Sequence, residues 1–337
     1  MSLTRLDYCQ FLLTSPVNYT LTYFADHVKG LSHDRINRYL AQENVTASDL
    51  WLEISKTIVI AGDGYLLFDD SVLNKEHSNR IESVYKQYSG NEHKVIKGIG
   101  VISCVYVNPN LKQYWVIDYR VYDPDQDGKS KLDHVAEMLA EVHAVKKLPF
   151  STVLMDSWYA TQALMKQIDE MEKIYYTVVK KNRLVDETQG VEAYQRVQDL
   201  QWSDTELETG KRVKLHGFPA NHKVQLFRVT ALPGRTEFVV TNDLSCDTSK
   251  EARRHCKIRW KIEQFHREIK QLTGIESCQC RKREIQRNHI GCAMLVWAKL
   301  TEIAQRTGQT LYKLKHSLLD GYMAQALAKP ALPLTFA

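Results

Sequence analysis

No apolar run in this 337-residue chain approaches the roughly 20 residues that a membrane-spanning helix needs. The N-terminus lacks a charged stretch followed by a long apolar one, so no secretion signal is expected. The cysteines lack any pairing logic: there are seven, an odd number, scattered at Cys9, Cys104, Cys246, Cys256, Cys278, Cys280 and Cys292. A disulfide framework is therefore not expected, and a reduced, cytoplasmic setting is. Cys278, Cys280, His289 and Cys292 do cluster, but C-x-C-x8-H-x2-C is not a common zinc spacing. Packing is preferred to a zinc site as the reading of these thiols. The acidic loop at 123–128 imitates a calcium loop but has no Glu at the closing position, so calcium is set aside. Composition lacks extremes as well. With 44% hydrophobic and 25% charged residues, it describes an ordinary globular protein, long enough for more than one domain.

What charge there is lies unevenly. The net charge is +5, yet residues 250–287 hold twelve Lys or Arg against five Asp or Glu. That block is +7 and leaves −2 for the rest of the chain. A basic block on a near-neutral protein predicts a surface facing a polyanion. Trp260 and Phe265 within it suit nucleic acid better than a merely solvated helix face.

Residues 1–60 read as helical, with segments at 21–28, 32–40 and 48–60. Gly30 is placed to end one helix and Ser32 to cap the next. The pattern predicts a helix-turn-helix-like DNA-binding region, with Arg35 and Arg38 on the recognition helix 32–40. Strands follow at 64–70, 94–107 and 113–122, with a short polar segment at 81–88. Then come a helix at 131–147, a strand at 151–156, a helix at 160–173 and a strand at 174–181. An antiparallel meander followed by parallel helix crossovers predicts a mixed α/β sheet of five strands, of ribonuclease H-like type. Residues 184–248 change to short alternating segments separated by turns at Gly210, Gly217, Pro219 and Gly234, which predicts a β-rich insertion. The core resumes with a helix over 249–273, an apolar helix over 287–306 and a loose tail after Lys329. The expected domain order is thus 1–60, 61–183, 184–248 and 249–337.

Two aspartates carry the chemistry of this sheet. Asp70 closes the first strand and Asp156 the fourth, and in such a sheet those strands are neighbours. On the helix after the insertion, Arg259, Glu263, His266 and Lys270 step by four, three and four residues and share one face. Glu263 either forms salt bridges along that face or joins the two aspartates around a metal. Three converging carboxylates repel one another unless cations sit between them. Oxygen-only donors suit Mg²⁺, with Mn²⁺ as a substitute, and two such ions form the arrangement used for phosphodiester chemistry. Asp69 competes with Asp70, because neighbours in a strand face opposite sides. Asp118 and Asp123 read as surface residues of a strand and a loop.

Arg259, Glu263 and Lys270 match the spacing Tyr-x2-Arg-x3-Glu-x6-Lys. Asp69-Asp70-Ser71, Asp156-Ser157-Trp158-Tyr159 and the strings at 88–93 and 117–120 complete a set. On these residues the chain resembles the DDE transposases of bacterial insertion sequences, over about residues 20–300. Cys256 stands where that motif has its tyrosine, so a phosphate contact borrowed from the tyrosine has no carrier here. Within the motif, Asp70 rather than Asp69 matches the first catalytic aspartate.

The resemblance implies a cut-and-paste transposase with Asp70, Asp156 and Glu263 as a catalytic, Mg²⁺-holding triad. It implies a homodimer on terminal inverted repeats, nicking by water, attack of the freed 3′-OH on target DNA, and strand release through a DNA hairpin. Arg259 and Lys270 would hold phosphates, with Lys257 and Arg267 as further contacts. Trp260 is assigned to the core, with base stacking as the alternative. Trp202, in the insertion, is assigned to packing, with gripping of a flipped base as the alternative. The implied setting is bacterial and nucleoid-associated, with no membrane partner. The competing readings are a ribonuclease H-like nuclease without strand transfer and a catalytically dead DNA-binding derivative. A protein that only binds has no reason to keep three mutually repelling carboxylates.

Overall fold

The computed structural model describes residues 3–329 apart from 79, 91, 189, 192, 220 and 232–234. The tail after Lys329, the turn at Gly234 and Asn91 of the 88–93 string lie outside the described residues. In chain order, helices α1 (Arg5–Thr14), α2 (Leu21–Asp26), α3 (His33–Gln42) and α4 (Ala47–Ile54) come first. Strands β1 (Tyr65–Asn74), β2 (Tyr85–Ser89), β3 (Lys94–Asn108) and β4 (Gln113–Tyr122) follow. Next are α5 (Pro124–Asp127), α6 (Lys131–Glu141) with a π-helical turn, β5 (Thr152–Met155), α7 (Gln162–Glu170) and β6 (Ile174–Val179). The insertion supplies β7 (Leu184–Asp186), β8 (Gln195–Arg196), α8 (Asp204–Thr209), β9 (Lys211–Leu215), β10 (Val224–Ala231) and β11 (Arg235–Thr241). Five helices follow among the described residues: α9 (Ser249–Ile258), α10 (Trp260–Thr273), α11 (Arg283–Thr307), α12 (Leu311–Ser317) and α13 (Asp320–Ala328). None of the described helices is long and apolar enough to cross a membrane.

The chain folds into two compact units. The first comprises Met1–Ile58, Ser71–Val101 and Phe265–Ala337. Its axis is α11, against which α1, α3 and α4 pack. Ser32 caps α3 by accepting the Arg35 amide, and Gly30 in the preceding link takes φ +79, the left-handed conformation that ends a helix cheaply only at glycine. Asn288, buried on α11, pins the turn between α3 and α4. It donates to the carbonyls of Leu40 (2.8 Å) and Glu43 (2.6 Å) and accepts from the Val45 amide (2.8 Å). α1 had no place in the expected pattern, although Thr4 and Asp7 form a capping box at its start. His289 engages both ring nitrogens, one with the Tyr8 hydroxyl at 2.8 Å and one with the Gly274 carbonyl at 3.0 Å.

The second unit comprises Val59–Asp70 and Ile102–Gln264. Its strands are hydrogen-bonded in the order β4-β3-β1-β5-β6-β11-β10-β9-β7-β8. β1 pairs parallel with β5, and β5 parallel with β6, as the crossover helices α6 and α7 require. The five strands expected are present, but the sheet does not end there. β11 pairs antiparallel with β6, from Phe238 opposite Val179 to Thr241 opposite Tyr176, and the insertion carries the ladder onward. Two expectations need correction. The helix over 249–273 is two helices, α9 and α10, with Arg259 in the turn between them. Asp118 and Asp123 are not surface residues: Asp118 is 1% exposed and Asp123 fully buried. Asp118 is tolerated inside because Arg120 and the Lys146 ammonium (2.7 Å) neutralise it.

Candidate active site

The site begins with two apolar strands. Tyr65, Leu66, Leu67 and Phe68 of β1 are buried, as are all four residues of β5. Strands covered on both faces read as unbroken apolar runs, and these two do. Their register pairs Tyr65 with Thr152 and Phe68 with Met155. One residue further on, that register sets Asp69 opposite Asp156. In-register residues of parallel strands share a face, so Asp69 lies on the face of Asp156 and Asp70 on the other.

The contacts follow this alternation. Asp156 ends β5 in a tight turn, its Oδ1 accepting the amides of Trp158 (2.8 Å) and Tyr159 (3.3 Å). The Thr177 hydroxyl donates to the Asp156 carbonyl at 3.2 Å. Asp69 Oδ1 accepts the Asp70 amide at 2.9 Å. Burial, reinforced by the charges of Asp156 and Asp70, pushes the Asp69 carboxyl up to about 8, with Arg259 pulling the other way. Burial, reinforced by the charge of Asp70, also raises the pKa of Asp156, against the two turn amides and Arg259. Asp69, Asp70, Asp156 and Arg259 thus form one electrostatic cluster. Glu263 joins it through Arg259, whose guanidinium lies 2.8 Å from the Glu263 carboxylate, one helical turn along. Glu263 falls in the first turn of α10, where the helix dipole favours an acid.

Asp70 makes different partners. Its Oδ2 accepts from Lys131 Nζ at 2.5 Å and its Oδ1 from the Tyr159 hydroxyl at 2.6 Å. Tyr159 is fully buried, and burial beside Asp70 pushes its phenol well up. Asp70 is therefore clamped between α6 and the turn after β5. Lys131 gave no sequence signal, whereas Tyr159 stood in the string that begins at Asp156.

The other expected residues separate into groups. Lys270 Nζ binds the Val72 carbonyl at 2.9 Å and the Glu276 carboxylate at 2.8 Å. Lys257 on α9 and Arg267 on α10 are exposed, as are Arg35 and Arg38 on α3. Trp260, assigned to the core, is instead 57% exposed, because it opens α10 just after the turn at Arg259 and away from the apolar side carried by Ile262. Trp202 is half-buried, with Lys211 Nζ 5.6 Å above its ring. Trp158, not singled out beforehand, is exposed beside Asp156.

Among the described residues, no three His, Cys, Asp or Glu side chains are gathered closely enough to hold a metal. The donor chemistry of Asp69 and Asp156 nevertheless fits a divalent cation. Both offer only oxygen, and burial together with neighbouring carboxylates raises the pKa of both, as happens to acids short of positive charge.

The family profile described as "Transposase DDE domain" matches residues 66–298, more than half of the chain. The chain belongs to this family of DDE transposases. It is an enzyme of DNA transposition. Similar solved structures include a piggyBac transposase synaptic complex with hairpin DNA, at 12% identity and a TM-score of 0.52, covering 97% of this chain and 73% of that one. That likeness extends to the fold alone. The Mos1 transposase paired-end complex with left transposon end is matched at 14% identity and a TM-score of 0.20, over 52% of this chain and 58% of that one. Endonuclease V of Ciona intestinalis, in complex with an inosine-containing DNA, is matched at 10% identity and a TM-score of 0.29, over 79% and 99%. No curated protein matches the chain.

Proposed function

We propose that Asp69, Asp156 and Glu263 form the carboxylate triad of a cut-and-paste transposase, with Asp69 taking the role that the motif suggested for Asp70. The observation behind this is the β1–β5 register, which pairs Phe68 with Met155 and so puts Asp69 level with Asp156, whereas Asp70, also within reach of the charge of Asp156, is already engaged by Lys131 and Tyr159. Mg²⁺, or Mn²⁺ in its place, would be held by these three carboxylates and would polarise the phosphate and activate the attacking oxygen. Arg259, paired with Glu263 at 2.8 Å, would hold a non-bridging phosphate oxygen. Carboxylates alone repel a phosphate, so the part of Asp69 and Asp156 at the strand ends would be to hold the cation against it. The meander, the parallel crossovers and the order β4-β3-β1-β5-β6 support a ribonuclease H-like core.

The partner in this reading is DNA, as terminal inverted repeats and then as target, with two copies of the chain on two ends. Arg35 and Arg38 contact DNA from α3, and Lys257, Arg267 and Lys270 from the basic block, most of them through phosphates. Cleavage leaves a 3′-OH that attacks the opposite strand, giving a hairpin, or the target. The test is cleavage of labelled DNA carrying the element's ends, with Mg²⁺ or EDTA. Wild type is run beside Asp69→Ala, Asp70→Ala, Asp156→Ala and Glu263→Ala. Metal-dependent nicking and joined products are expected, lost in the Asp69, Asp156 and Glu263 variants while DNA binding persists. Nicking without joining would make the protein a nuclease, and full activity in Asp69→Ala would return the role to Asp70.

A further inference from the structure

Four thiols gather within electrostatic reach of Tyr8 in the first unit: Cys9 of α1, Cys292 of α11, and Cys278 and Cys280 of the segment before α11. Nothing in the DNA chemistry above uses them. Cys9 and Cys292 stand 283 residues apart in the chain, yet α1 packs on α11 so that the Cys9 thiol donates to the Cys292 carbonyl at 3.9 Å. Cys9 is half-buried and open to a small solute, whereas Cys292 is fully buried. Cys278 and Cys280 also hydrogen-bond one another, but their backbone is pinned. Lys75 holds the Cys278 carbonyl at 2.7 Å, and Gln286 holds those of Cys278 and Cys280 at 3.1 and 2.6 Å. That segment is not free to close the small ring that a bond between them would make.

The surroundings divide the work between Cys9 and Cys292. When Cys9 ionises, the Cys292 thiol donates to it. That bond, helped by Arg5, holds the Cys9 thiol below its ordinary value, against burial and Glu43. The same bond, together with burial, pushes the Cys292 thiol well up and keeps its proton on. The accessible member is thus the one that becomes a thiolate, the nucleophilic form, and the buried member is a protonated thiol lying beside it.

We infer that Cys9 and Cys292 are an oxidation site, at which a hydroperoxide converts the pair into a disulfide that staples α1 to α11. The Cys9 thiolate attacks a peroxide oxygen. An S–O bond forms, the O–O bond breaks, and hydroxide leaves, so that sulfur is oxidised and the peroxide reduced. Cys292 then attacks the Cys9 sulfur. The S–S bond forms, the S–OH bond breaks, and the departing hydroxide takes the Cys292 proton as water. A dithiol reductant restores both thiols by exchange.

The staple falls where it has most to fix. α1 lies close to the chain start, where segments are ordered only if tied down. Asn288, one turn before Cys292 on α11, holds the turn between α3 and α4. The oxidised chain therefore has α1 joined covalently to the helix that also carries α3. This inference goes beyond the DNA reading and does not depend on it.

The experiment uses the full chain, reduced and then freed of reductant. Wild type, Cys9→Ser, Cys292→Ser and a Cys278→Ser, Cys280→Ser double variant are treated with hydrogen peroxide. Intact mass, peptide maps, thermal melting and trapping of sulfenic acid by dimedone are read. We expect wild type and the double variant to lose the mass of two hydrogens and to yield a Cys9–Cys292 cross-linked peptide. Their melting temperature should rise by about 5 to 10 °C, because the bond closes a very long loop, and should fall back with dithiothreitol. Cys9→Ser should show neither change. Cys292→Ser, which has the attacking thiol but not the second one, should take up dimedone at Cys9. A wild type that keeps its mass or only gains oxygen overturns the proposal. So does the same loss of mass in Cys9→Ser, a cross-link mapped to Cys278 and Cys280, or dimedone that bypasses Cys9 in Cys292→Ser.

Discussion

Adjacent aspartates should respond to neutralisation with opposite signs. Asp69 is pushed from an ordinary value of 3.8 up to about 8 by burial and two neighbouring carboxylates. Its folded-state value lies above its unfolded one, so its full contribution to stability is present below about pH 4 and is lost as pH rises through about 8. Taken whole, a displacement of about four units is worth ~5 to 6 kcal/mol at high pH, at about 1.4 kcal/mol per unit. Water penetration and relaxation reduce such figures severalfold, so Asp69→Asn should stabilise the metal-free protein by ~2 kcal/mol at pH 8 to 9. The gain should vanish by about pH 4. Asp70→Asn removes the charge that pairs with Lys131 at 2.5 Å and should cost ~2 kcal/mol. Thermal unfolding in EDTA, followed by circular dichroism at several pH values, reads both. At about 2 to 4 °C per kcal/mol, the shifts should be roughly +4 to +8 °C and −4 to −8 °C at pH 8. A loss of stability in Asp69→Asn, or a gain that does not depend on pH, would refute the assignment of the uncompensated charge to Asp69.

Other outcomes follow from the same contacts. Tyr159→Phe deletes the hydroxyl that bonds Asp70 at 2.6 Å, and should cost ~1 to 2 kcal/mol in unfolding, measured by chemical denaturation. Glu263→Gln should leave the melting temperature almost unchanged, because its half-buried pair with Arg259, one helical turn apart, is worth only ~0.3 to 0.5 kcal/mol, yet abolish cleavage. Gly274→Ala should destabilise the first unit by ~2 kcal/mol or more, since the residue sits at φ +66 and an added Cβ would meet the Tyr19 ring at 2.4 Å. Chemical denaturation followed through Tyr fluorescence checks it.

Much of the site could be read from the chain because its parts are local. The apolar run of β1 ending in two acids, the run of β5 ending in Asp156, and the spacing of Arg259 to Glu263 each show within a dozen residues. The choice between Asp69 and Asp70 could not be read this way. It depends on the register of β1 against β5, which joins residues some ninety positions apart. Lys131 was invisible for the same reason, lying 61 residues from the carboxylate it neutralises. Asp118 looked like a surface acid because its partner Lys146 is 28 residues away. Trp260 looked like core because helical spacing assigns a face but not how far the neighbouring chain covers it. The insertion was legible as short strands, and its fusion to β6 was not, since an antiparallel partner leaves no trace in the strand it joins.

That fusion bears on how the enzyme can be altered. Residues 184–248 resemble a cassette, and a designer would be tempted to cut them out to obtain a minimal nuclease. Without β11, however, β6 would become a bare border whose amide and carbonyl groups, now matched from Tyr176 to Val179, would face water or another chain. The trimmed protein would tend to pair border to border with its own copies and leave solution. Shortening should therefore spare β10 and β11 and start at the far end of the sheet, where β7 and β8 already form its natural border.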